Sequence, residues 1–95
     1  MIESHSSLKV EGGKMVRLRL VHDGGRIVAA RLTGDFMVHP EEALDEMERC
    51  LLGIDVRIDD ARLTQVLGDA VTSSGAELIG FSIPHVVELV RRCLR

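Results

Sequence analysis

Between Lys14 and His22 apolar and polar residues alternate, setting Val16, Leu18 and Leu20 on one side and Arg17, Arg19 and Val21 on the other. A period of two predicts a strand with one buried face. Arg26 to Thr33 repeats the pattern, with Val28, Ala30 and Leu32 opposed to Ile27, Ala29 and Arg31. Asp23-Gly24-Gly25 between them predicts a hairpin turn. A two-residue loop at Asp23-Gly24 would set Val16 opposite Arg31. A three-residue loop instead pairs Leu20 with Val28, Leu18 with Ala30 and Val16 with Leu32, and the hydrophobic pattern selects it. Ser7 to Val10, ahead of a turn at Glu11-Gly12-Gly13, supplies a short further strand.

Past His39 the period lengthens. His39-Pro40-Glu41-Glu42 predicts a helix start, with proline in the first turn and acids at the positive end of the dipole. Ala43, Leu44, Met47, Cys50 and Leu51 form its apolar stripe, and Gly53 stops it. Ile54 to Ile58 alternates and is expected to be extended. Asp59 is placed to cap a second helix with Leu63, Val66, Leu67, Ala70 and Val71 inward, ending at Thr72-Ser73-Ser74-Gly75. Ser82 and Pro84 open a last helix with Ile83, Val86, Val87, Val90 and Leu94 inward and arginines at its end. Strands first and helices afterwards predict an α+β fold, a small antiparallel sheet of about three strands with helices packed on one face.

The length of 95 residues, 45% hydrophobic and 28% charged, predicts a single globular domain over 1–95. No apolar run approaches the roughly 20 residues that span a bilayer, and Met1-Ile2-Glu3-Ser4-His5 lacks a signal-peptide profile, so no membrane association and a cytoplasmic location are expected. The two cysteines, Cys50 and Cys93, fall in separate helical segments without a CxxC motif, which predicts packed thiols rather than a disulfide or a metal site.

The net charge of -3 is unevenly spread. Six basic residues precede Pro40 against four acids, whereas Glu41, Glu42, Asp45, Glu46 and Glu48 crowd one stretch. With so mixed a field and two aromatic residues, Phe36 and Phe81, there is neither a phosphate track nor a stacking platform, and no nucleic-acid partner is expected. Lys9-Val10-Glu11-Gly12-Gly13-Lys14 lacks the GxxxxGK(S/T) spacing and runs into a strand, so it reads as a turn rather than a phosphate loop. The acids from Glu41 to Glu48 read as the solvated side of a helix, and His5, His22, His39 and His85 share no ligand spacing. No catalytic residue and no metal site is assigned. Arg17, Arg19 and Arg31 share the face turned from the core, with Arg17 across from Arg31 in the chosen register. That juxtaposition costs stability unless an anion or an acidic partner neutralises it, the plain alternative being solvated arginines.

Taken together, Lys9-Val10-Glu11-Gly12-Gly13-Lys14-Met15-Val16-Arg17, the Asp-Gly-Gly turn with Ile27, and Leu32-Thr33-Gly34-Asp35-Phe36-Met37-Val38-His39-Pro40-Glu41-Glu42 resemble the accessory domain of lipoate–protein ligases. The resemblance continues through Leu51-Leu52-Gly53-Ile54 and, less specifically, the last helix. In that family the domain is fused behind the catalytic domain or, in many archaea, made as a separate polypeptide, and this chain resembles the separate form. The resemblance implies a fold similar to iron–sulfur scaffold and sulfur-acceptor proteins. It implies a non-catalytic subunit required with its catalytic partner for making lipoyl-adenylate, in a heterodimer whose ATP, magnesium and lipoate all sit on the catalytic subunit. An iron–sulfur or sulfur-transfer scaffold of the same fold is the alternative, and it would need exposed thiolates. The partner interface expected from the face argument comprises Lys14, Arg17, Arg19, Arg31, Asp35 and Phe36, with Val21, Ile27 and Ala29 as its apolar part.

Overall fold

The computed structural model describes residues 1–12 and 14–95. Strands β1 (Ile2–Val10), β2 (Lys14–Asp23) and β3 (Arg26–Gly34) form an antiparallel sheet in the order β1-β2-β3. A second, two-stranded ladder joins β4 (Met37–His39) to β5 (Glu77–Ile79). Helices α1 (Glu42–Cys50), α2 (Asp60–Ser74) and α3 (Ile83–Leu94) complete the expected α+β architecture. α1 and α3 pack on the sheet, and α2 packs against both of them.

One core joins Val16, Leu18, Leu20, Ile27 and Leu32 of the sheet to Ala43, Met47 and Leu51, to Leu63 and Leu67, and to Val86, Leu89, Val90 and Cys93. The helical stripes expected from sequence supply most of the helix side. Leu89 was not among the expected inward residues, yet it is completely buried.

The hairpin register differs from the expected one. Asp23 pairs with Arg26, so the loop is Gly24-Gly25, with φ of +59° and +80°. Both values lie where side chains are strained, which is why two glycines stand there. Leu20 consequently pairs with Ala30, Leu18 with Leu32 and Val16 with Gly34. The pairing slips between Val21, opposite Ala29, and His22, opposite Ile27, so Val28 is the extra residue of a bulge. A bulge reverses the parity of the residues before it. Ile27 therefore enters the core and Val28 stays 46% exposed, the reverse of the sequence reading.

Other local expectations fare variously. β1 starts at Ile2 rather than Ser7. Glu11 and Gly12 lie in a turn, and Gly13 of that expected turn lies outside the described residues. Pro40 precedes α1 instead of sitting in its first turn. The stretch from Ile54 to Ile58 is irregular rather than a strand, with a turn at Val56-Arg57 and a bridge to the sheet between Asp55 and Arg26. The caps are as expected: Asp59 accepts Arg62 N–H at 2.7 Å, and Gly75, with φ +65°, closes α2. Ser82 caps α3 in a capping box in which His85 Nδ1 accepts the Ser82 amide at 3.0 Å.

The β3 edge is covered in part. Ile27 exchanges backbone hydrogen bonds with Ile54 (3.0 Å) and Gly53 (2.8 Å), and Val56 N–H reaches Gly25 O at 2.9 Å. Farther along, the Glu48 carboxylate of α1 accepts Leu32 N–H at 2.7 Å.

Gly34 marks the tightest backbone approach. A Cβ there would stand 2.1 Å from the Met15 carbonyl oxygen, and φ is +148°. Asp35 N–H, next in the chain, bonds that same oxygen at 2.8 Å. Gly34→Ala should therefore cost at least about 3 kcal/mol in urea unfolding, whereas Gly75→Ala, strained but meeting no atom, should cost about 1–2 kcal/mol. Equal costs would show that the Met15 approach is not limiting.

Candidate functional site

The side of the sheet away from the helices is fixed by the parity of β2. With Val16, Leu18 and Leu20 committed to the core, Arg17 and Arg19 must point outward, and both are exposed. Across β2, Arg17 pairs with Ser7 and Thr33, and Arg19 with His5 and Arg31. The opposed arginines are therefore Arg19 and Arg31, not Arg17 and Arg31 as the sequence register implied. Together with His5, Ser7 and Thr33 they line a shallow depression of about 450 Å³.

Electrostatics divide the three cations. Arg19 donates to Glu3 at 2.9 Å, and His5 Nε2 lies 2.8 Å from the same carboxylate. The Arg19 guanidinium first, and His5 second, hold the Glu3 carboxyl below its usual range. Neither Arg17 nor Arg31 forms an ion pair among the described residues. A like-charged cross-strand pair with one member free leaves a surface that favours an anionic ligand or partner.

The remaining expected interface residues gather at one end of the hairpin. Lys14, Asp35 and Phe36 line a separate depression of about 350 Å³ with Gly34, Met37, Ile79 and Gly80. The Asp35 carboxylate accepts Met15 N–H at 3.3 Å. Phe36 is half-buried against Phe81, ring centroids 4.5 Å apart and tilted by 45°. Met37 and Ile79, paired across β4 and β5, stay 65% and 44% exposed and add an apolar ridge that the sequence pattern did not flag. The apolar part expected on the arginine face is reduced: Ile27 belongs to the core, and Val21 is 5% exposed.

Both thiols are free. Burial, with Glu46 adding to it, pushes the half-buried Cys50 up to about 11, and its Sγ–H donates to Met47 O at 3.0 Å. Cys93 is buried on the inner side of α3 and also raised, chiefly by desolvation, with Ser6 Oγ at 3.3 Å opposing the shift. Among the described residues no three His, Cys, Asp or Glu side chains gather as a metal cluster. Among the described residues no helix is long and apolar enough to cross a membrane.

The fold has a solved counterpart. A chain of an archaeal lipoylation system from Thermoplasma acidophilum, described as a bi-partite lipoate protein ligase and its E2 lipoyl domain, superposes with a TM-score of 0.77 at 21% identity. The superposition covers 95% of this chain and 96% of that one, so the two are of nearly equal length and share one fold throughout. No protein-family profile matches the sequence, and no curated protein is significantly similar to it.

The two thiols yield a direct check. A thiol raised to about 11 holds on the order of a hundredfold less thiolate at pH 8 than an ordinary cysteine. Alkylation of Cys50 at pH 8 should thus be slower than that of free cysteine by about that factor and should climb steadily as pH approaches 11, read by mass spectrometry of the folded protein. Fast alkylation at neutral pH would mark an activated thiol.

Proposed function

We propose that this chain is the non-catalytic accessory subunit of a two-part lipoate–protein ligase, required with its catalytic partner for ATP-dependent formation of lipoyl-adenylate. The observation that carries the reading is the agreement of two independent lines. The segments around Lys9–Arg17 and Leu32–Glu42 resemble that accessory domain, and the fold coincides end to end with a chain from an archaeal lipoylation system. In this reading ATP, magnesium and lipoate bind the catalytic subunit, and this chain shapes or closes that site from outside. The depressions on its surface are shallow and open, which suits contact with a protein better than enclosure of an acyl chain and a nucleotide. The scaffold alternative finds no support in thiols that burial keeps protonated.

The catalytic subunit docks, in this proposal, on the open face at Arg17, Arg19 and Arg31 and on the adjoining end at Lys14, Asp35 and Phe36. Arg17 and Arg31, without an ion pair among the described residues, call for an acidic counterpart. Reversing both to glutamate should slow association and cost roughly 2–5 kcal/mol where a pair is buried, while the fold survives because neither side chain enters the core. Pull-down by the catalytic subunit and lipoyl-adenylate formation measure it. Unchanged binding and activity in a folded Arg17→Glu/Arg31→Glu protein would move the interface to another surface.

A second expectation separates the subunits. Isothermal titration of this chain alone should give no micromolar lipoate binding, and the chain alone should release no pyrophosphate from ATP. Either activity in the isolated chain would overturn the accessory assignment.

A further inference from the structure

Among the described residues the sheet order leaves one side of β1 without a strand. Nine residues run along it, with Glu3, His5, Ser7 and Lys9 exposed on the outer face and Ser4, Ser6, Leu8 and Val10 partly buried on the inner one. Natural edges are often protected by charged side chains or by proline. Besides His5 this edge carries one carboxylate and one ammonium, Glu3 and Lys9, placed symmetrically about Ser6. We propose that β1 pairs antiparallel with β1 of a second copy of this chain, about a two-fold axis through Ser6, joining two sheets into one.

The register follows from the charges. Centring on Ser6 sets Glu3 opposite Lys9 of the second copy and Lys9 opposite its Glu3. The same axis sets Ile2 against Val10, Ser4 against Leu8 and His5 against Ser7, so that apolar and small polar positions are matched as well. Moving the axis to Ser7 would oppose Glu3 with Glu11 and Lys9 with His5. Moving it to His5 would leave Lys9 facing Met1 and Glu3 facing Ser7. The Ser6 register alone among these pairs opposite charges twice.

The single chain leaves the necessary groups available. Lys9 has no ion pair among the described residues, and Glu3, although it accepts from Arg19 and His5, retains acceptor sites on its carboxylate. Ile2 is 56% exposed and would be covered by Val10 of the second copy. The Ser7 carbonyl accepts Arg92 at 2.9 Å and keeps a second lone pair for a cross-strand amide. α3 lies over β1 and β2, so the two copies of α3 come side by side above the joined sheet. Glu88 and Arg92, paired at 2.8 Å and each 42% exposed, stand beside this edge and form the polar rim. The arginine face remains uncovered, and the inference does not rest on the ligase reading.

Sedimentation equilibrium of the full chain over a range of concentrations tests the pairing. The expected result is a reversible dimer that Lys9→Glu weakens about tenfold or more, because two like-charged pairs replace two attractive ones. Glu3→Lys should weaken it similarly. The Glu3→Lys/Lys9→Glu protein should recover to within about threefold of the original. Circular dichroism checks that each variant is folded. Hydrogen exchange of the unaltered protein provides a second readout independent of any variant: β1 amides not bonded to β2 should gain protection as concentration rises. A monomer at every concentration up to about 1 mM, a dimer indifferent to these charges, or β1 amides that stay unprotected in the dimer would overturn the proposal.

Discussion

Val16, Leu18 and Leu20, the inward residues of the middle strand, are at most 2% exposed, and each contributes roughly 1.5–3 kcal/mol by leaving water. They cannot be turned outward without losing that contribution threefold over. The chain is thereby committed to one parity along β2, and nearly everything else follows. α3 lies over these residues, Leu32 and Ala30 join them from β3, and Arg17 and Arg19 are forced onto the opposite face. Outward cations are in this sense a by-product of an inward apolar stripe. What is not dictated by the core is that Arg31 should stand across from Arg19.

That coincidence gives the outer face its character. Glu3 compensates Arg19 within the chain, and nothing among the described residues compensates Arg17 or Arg31. The two thiols have the opposite disposition, since Cys93 is buried on the inner side of α3 and Cys50 is held protonated by its surroundings. A fold that hides its nucleophiles and displays cations on a flat sheet is suited to recognising another macromolecule's surface.

Much of this was legible in the sequence, and the parts that were not share a cause. The helices announced themselves through stripes such as Leu63 and Leu67 and through caps at Asp59, Gly75 and Ser82, because these signals are local. The outward position of Arg17, Arg19 and Arg31 was equally readable, being fixed by alternation alone. The hairpin register was not. Alternation leaves open which two residues turn, and the bulge at Val28 is paid for by burying Ile27, a tertiary gain that no count of apolar positions along one strand can detect. β4 and β5, three residues each, were too short to show a period. The need for glycine at position 34 was invisible for a different reason: it arises from the Met15 carbonyl, on another strand.

The contacts that cover β3 also bear on how this protein behaves when crowded. A β-sheet propagates into a fibre only if each added chain presents a fresh edge to the next, so unlimited growth needs two open sides. Here the segment after α1 and the Glu48 carboxylate occupy backbone groups along one side. Any addition at β1 uses up the other. Growth of the three-stranded sheet through its β3 side is thus opposed, and a single carboxylate on a neighbouring helix helps hold that side closed.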